Sequence, residues 1–213
     1  MGGQLVAGLA VAAVLVGGLS YLWVRSPEGA LTGPVTLPSF ATVDVAPPDV
    51  VPGRATLLPT DCAELLVGSP DMSALLGQPL GSVGARSLVG QPAPSVGQLE
   101  RLTCNYSVPG RDAPALVLTA AGFTDPGAAA EQRGRNVAAE GPDTQASRQV
   151  GLGRAQATLL TEPSRTLLLV DYDRYTLTAS IAPGVAPADK PEPVLTDLAQ
   201  RVLAKLVPPA NRH

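Results

Sequence analysis

The feature that limits this chain most is a run of twenty uncharged residues, Leu5 to Val24, reading LVAGLAVAAVLVGGLSYLWV. As a helix it is long enough to cross a hydrocarbon core of about 30 Å. A soluble core helix is rarely apolar on all sides over such a length. The run ends in Tyr21 and Trp23, followed by Arg25. Aromatic and cationic residues are favoured where a helix meets lipid headgroups. Residues 1–25 are therefore expected to be a transmembrane anchor in the lipid bilayer, with Tyr21, Trp23 and Arg25 at the interface. A cleaved signal peptide is the rival reading. Gly18 and Ser20 offer a small-x-small site, but cleavage there leaves YLWV at the new terminus, and no Lys or Arg precedes the run. No cysteine precedes Cys62, so none stands just after the run to take a lipid, and Val6 occupies the position where a myristoylation signal needs Ser or Thr.

Flanking charge does not fix the direction of such an anchor. Arg25 follows the run, which by the positive-inside rule favours a cytoplasmic C-terminal domain. The cysteines argue the other way. Cys62 and Cys104, 42 positions apart and without metal-type or C-x-x-C spacing, suit one structural disulfide, which needs an oxidising compartment. The domain is accordingly expected outside the cytoplasm, on a single-pass protein of the cell membrane.

Charge narrows the partners. The net charge is −3, two lysines (Lys190 and Lys205) accompany thirteen arginines, and no run of basic residues occurs. The electrostatic footprint of a nucleic-acid-binding protein is missing, so no nucleic-acid partner is expected. Beyond the anchor the aromatics are Phe40, Tyr106, Phe123, Tyr172 and Tyr175, too few for successive stacking platforms for bases or for a sugar-stacking wall.

Residues 26–59 carry seven prolines in 34 positions and little periodicity, which predicts a stalk or linker. A polyproline-like segment of that length reaches at most about 100 Å. Its scattered valines and leucines, Val43, Val45, Val50 and Leu57 among them, leave room for the distal half to pack on the domain.

Residues 60–207 are long enough for one core, with 208–213 as a flexible tail. Asp61 is placed to cap a helix through Leu66, and a short turn is expected over Asp71 to Leu76. Residues 78–98 repeat Gly, Ser and Pro and read as a loop. Two strands, Arg101 to Val108 and Ala113 to Phe123, flank Pro109-Gly110. Asp125-Pro126 opens a helix carried by Ala128 to Glu140 and stopped at Gly141-Pro142. A short strand over Gln149 to Leu152 leads to a three-strand antiparallel meander: Ala155, Ala157 and Leu159 alternate with polar residues, Thr166 to Val170 is apolar, and Tyr175, Leu177, Ala179 and Ile181 alternate again. Leu195, Leu198, Val202 and Leu206 give a final amphipathic helix over Val194 to Leu206. The fold class is α+β: an antiparallel, curved sheet with helices packed on it, behind the N-terminal helix.

No catalytic, cofactor-binding or metal site is expected. The one histidine is His213, so Ser-His-Asp and Cys-His arrangements lack their base. Asp171-x-Asp173 falls in a predicted hairpin turn, where Asp serves its own backbone. Gly151-x-Gly153 lacks the third glycine and the following helix of a dinucleotide site. Glu131, Glu140 and Glu162 have no acid/base spacing that sets them apart from solvated faces.

Asp61-Cys62-Ala-Glu-Leu-Leu66, Cys104-Asn-Tyr106, Val150-Gly-Leu-Gly153 and Arg174-Tyr-Thr-Leu-Thr178, in that order, resemble the small Cys-paired envelope domains of mycobacteria and related actinobacteria. These occur in secreted lipoproteins of unknown function and, in a related form, in the external sensor domains of receptor kinases. Tyr106 stands where such domains often have Trp, and an anchor replaces their lipidated cysteine. The resemblance implies an α+β extracytoplasmic domain with a concave sheet that binds a ligand or partner and is not an enzyme; no functional residue carries over. Two functions follow as expectations. One is a non-enzymatic binding module for an envelope protein or an apolar ligand. The other is a structural accessory subunit of a membrane complex, docked through the small residues Gly8, Ala12, Ala13 and Gly17 of the anchor.

Overall fold

A computed structural model describes residues 57–65, 69–79 and 81–207. The apolar run with Tyr21, Trp23 and Arg25, most of the Pro-rich stretch, and residues 208–213 lie outside the described residues. Among the described residues no helix is long and apolar enough to cross a membrane.

The domain is built on one seven-stranded sheet: β1 (Gly84–Gly90), β2 (Gln98–Ser107), β3 (Leu116–Phe123), β4 (Ala146–Leu152), β5 (Ala155–Thr161), β6 (Thr166–Tyr172) and β7 (Tyr175–Ile181). Every pairing is antiparallel, in the order β1-β2-β3-β7-β6-β5-β4. Two meanders, β1 to β3 and β4 to β7, meet where β3 pairs with β7, and β1 and β4 are left as edges.

The period-two pattern divides the sheet into two faces. On the inner face Leu102, Cys104 and Tyr106 of β2, Leu116, Leu118 and Ala120 of β3, Leu168 and Val170 of β6, and Leu177 and Ala179 of β7 are buried in the main core. The helices α1 (Cys62–Leu65), α2 (Ser69–Leu75) and α4 (Pro191–Leu206) supply its other half through Leu65, Met72, Leu195, Leu198, Val202 and Leu206. Among the described residues the outer face carries one helix, α3 (Pro126–Glu140). It begins over Ala121 and Phe123, where Ala129 packs, and ends with Val137 over Leu160, Leu167 and Leu169, so it crosses β3, β7 and β6 obliquely.

Local chemistry explains the element ends. Asp125 Oδ1 accepts the Ala128 N–H at 2.9 Å, and Pro126 occupies the first turn, where its missing N–H costs nothing. The same tolerance lets α4 start at Pro191, three residues before the expected Val194, through Pro191 and Pro193. Asp173, with φ 51°, turns β6 into β7, and Gly153, with φ 61°, turns β4 into β5.

One expectation is corrected in kind. Residues 78–98 are not a loop throughout: they contain β1, which pairs with β2 over seven consecutive positions from Gly84↔Ser107 to Gly90↔Arg101, and a 3-10 turn at Pro94–Val96. The strand escaped the sequence reading because it has no buried face. Likewise β4 begins at Ala146, not Gln149, because its first four residues are exposed and carry no alternation.

Candidate functional site

Cys62 and Cys104 are joined in a disulfide with Cα atoms 5.7 Å apart, both half-cystines buried. It pins α1 to β2. Asp61 caps α1, its Oδ1 accepting the Ala63 N–H at 2.8 Å and the Ser87 hydroxyl at 3.1 Å, while Ser87 Oγ accepts the Cys62 N–H at 2.9 Å. The edge strand β1 is thus fastened to α1 at its midpoint. The chain enters the domain nearby: Glu100 Oε2 accepts the N–H groups of Leu57 and Leu58 at 2.8 and 2.7 Å.

The outer face is unevenly used. Beneath α3 its polar groups are matched: Arg133 pairs with Asp171 and donates to Thr158 Oγ1 at 3.0 Å, and Gln149 donates to the same oxygen at 3.1 Å. At the far end of α3, Arg165 bridges Glu162 at 2.8 Å and Glu140 at 2.6 Å. The hydrogen bond to Glu162, foremost, raises Arg165 still further above its ordinary pKa.

The half that α3 does not reach differs. Register aligns Leu88, Thr103, Thr119 and Thr178 in one cross-strand row and Arg86, Asn105, Val117 and Ser180 in the next. Thr103 and Thr119 hydroxyls share a hydrogen bond at 3.1 Å. Arg86, Leu88 and Arg101 are exposed, and the other members of the rows are half-buried. Arg101 lies against its cross-strand partner Gly90, where a Cβ would meet Nε at 2.7 Å. Among the described residues neither Arg86 nor Arg101 has a carboxylate partner, and these rows contain no Asp or Glu. The result is a hydroxyl-floored surface with two guanidinium groups along the β1 edge that meet no carboxylate among the described residues. Guanidinium groups form charge-assisted hydrogen bonds with carboxylates.

Cavities lined by described residues lie elsewhere. One of about 290 Å³ sits between the end of α3 and β4, lined by Val137, Thr144, Ser147 and Leu160 among others, with no titratable side chain. Another, of about 230 Å³, is bounded by Leu57, Leu58, Leu65 and Leu206 where the chain enters the domain.

The residues weighed for chemistry in the sequence are dispersed. Asp171 is the partner of Arg133, Asp173 is the turn residue, Gly151 sits within β4, and Glu131 forms an i,i+4 pair with Arg135 on α3. Among the described residues no three His, Cys, Asp or Glu side chains converge as metal ligands. Arg86 and Arg101 were not singled out by the sequence reading. The signal that finds them is the β1–β2 register, which puts both on the face α3 leaves open.

The fold defines the class: a disulfide-pinned α+β domain with helices on both faces of an antiparallel sheet. No family model matches the sequence, and no curated protein does. Among solved structures it is similar to the extracellular domain of PknH from Mycobacterium tuberculosis, at a TM-score of 0.49 and 10% identity, over 68% of this chain and 93% of that one.

Proposed function

We propose that this chain is a non-enzymatic binding module of the cell envelope, tethered by its N-terminal apolar run, that receives a partner on the open half of the outer sheet face. The observation that carries the reading is the contrast across that face: the half beneath α3 pairs its charges internally, whereas Arg86 and Arg101 on the other half meet no carboxylate among the described residues. The disulfide between Cys62 and Cys104 supports an oxidising, extracytoplasmic location.

The test separates this module from an accessory subunit docked through its anchor. The full chain and a version with an unrelated transmembrane segment are expressed in the same membrane, solubilised, and compared for cross-linked partners. Partners kept after the anchor swap but lost in the Arg86→Glu, Arg101→Glu double variant support the module. Partners lost on the swap alone overturn it in favour of anchor-driven assembly.

A further inference from the structure

Sheet edges invite pairing with another chain, and proteins guard them with short strands, prolines, bulges or lysines. The two edges of this sheet differ in that respect. On β4, Arg148 is paired with Glu192 of α4 and Val150 is half-buried against the core. On β1 the cover among the described residues is the start of α1, where Asp61 and Cys62 hold Ser87 on the inner face; GARSLVG has no proline, no lysine and no break in its seven-position pairing. Of its backbone groups, those directed away from β2 have no other backbone partner among the described residues. Leu88 is 40% exposed and Val89 is 64% exposed, neighbours on opposite faces of the same edge. A long, flat edge with exposed apolar side chains is the form that accepts an added strand.

We propose that β1 binds an extended, acidic segment of a partner protein as an eighth strand of the sheet. The inference rests on the binding-module reading and names its ligand. Charge selects the occupant. A strand laid beside β1 places alternate side chains on the outer face, opposite Arg86, Leu88 and Gly90. Carboxylates suit the first and last positions, because Arg86 stands at one and the Arg101 side chain lies against Gly90 at the other. An apolar residue suits the middle one, against Leu88. On the inner face the intervening positions meet Ser87 and Val89, and ask for a small polar and an apolar residue. For an antiparallel segment the pattern is acid, apolar, apolar, Ser or Thr, acid. A second copy of this chain fits less well, since pairing β1 with itself gathers two copies of Arg86 and Arg101 on a face whose described strand rows hold no carboxylate.

The probe is a fluorescein-labelled heptapeptide, Thr-Glu-Val-Val-Ser-Glu-Thr, titrated against the full chain in detergent beside a counterpart with Lys for both Glu. The acidic peptide is expected to bind at least about tenfold more tightly, the order of a charge-assisted pair, and Arg86→Glu is expected to reverse the preference. Methylating alternate peptide amides should abolish binding in one frame and spare it in the other, and bound peptide should slow hydrogen exchange in Gly84–Gly90. Arg86→Gln, which keeps a polar side chain, replaces Arg86→Glu if circular dichroism shows that variant unfolded. Equal affinity for the two peptides, insensitivity to methylation in both frames, or anionic phospholipid vesicles binding through Arg86 while the peptide does not, overturns the proposal. Val89→Cys chains that cross-link to each other before peptide is added overturn it in favour of a second copy. If the peptide fails while the anchor-swapped chain keeps its partners, strand addition falls and the binding module stands.

Discussion

Arg101 of β2 lies so close to Gly90 of β1 that a Cβ at position 90 would fall 2.7 Å from its Nε and 3.0 Å from its own Cβ. The absence of a side chain at position 90 is what lets the guanidinium stay at the sheet edge. Gly90→Ala is expected to displace it, moving the Arg101 Nε–H resonance in an NMR spectrum. The stability change should stay below about 1 kcal/mol, because the strand is exposed and no core contact is touched. An unmoved resonance would show that the close approach has no functional weight.

The disulfide is expected to be the largest single stabiliser of the layer that holds β1. Closing a loop between residues 42 apart contributes about 4 kcal/mol in the chain-entropy model. The Cys62→Ser, Cys104→Ser double variant should lower the urea midpoint accordingly, and reductant should destabilise the wild type but leave the variant unchanged. In protein taken from its native host, neither thiol should react with a maleimide until unfolded and reduced.

Much of the layout was legible in the sequence wherever a residue's job is to be buried. Leu177, Ala179 and Ile181 alternate because one face of β7 meets the core, and Leu195, Leu198 and Val202 repeat at helical spacing because α4 covers that core. What escaped was β1, whose residues are held by backbone pairing and by the Ser87 hydroxyl, which donates to Asp61 and accepts the Cys62 N–H. A strand without a buried face leaves no hydrophobic period to read. The candidate site escaped for the same reason: Arg86 and Arg101 are 15 positions apart in sequence and become neighbours of one edge only through the β1–β2 register.

Asp125 should give α3 a pH-dependent start. Its carboxyl is held below the ordinary carboxylate value, first by the Ala128 N–H and then by the Thr124 hydroxyl. A carboxyl depressed on folding stabilises fully above its unfolded pKa, and that stabilisation is lost as the pH falls through the folded value. Asp125→Ala should therefore lower the melting temperature at neutral pH and progressively less in acid. Asp125→Asn, which keeps an accepting oxygen at the cap, should recover much of the loss at neutral pH with a flatter profile.

Tyr106 is 2% exposed, and its hydroxyl has no partner among the described residues. Burial, and secondarily the negative charge of Asp61, push its phenol well above the ordinary value. Removing an orphaned buried hydroxyl removes a desolvation cost, so Tyr106→Phe is expected to be neutral or to stabilise by about 1 kcal/mol. A loss of more than that in a denaturation curve would reveal a partner for the hydroxyl.

Arg165 has the opposite role. The Glu162 carboxyl is 3% exposed, with one oxygen on Arg165 and the other without a partner among the described residues, so its burial depends on one guanidinium shared with Glu140. Removing one member of a fully buried pair costs about 3–5 kcal/mol. Arg165 is 40% exposed, so water screens part of the pair, and a loss of about 2 kcal/mol is expected for Arg165→Met. Adding Glu162→Gln to that variant neutralises the stranded charge and should restore part of the loss. A double-mutant cycle of urea midpoints checks this, since independent contributions would simply add whereas the shared buried charge requires a coupling beyond about 0.5 kcal/mol.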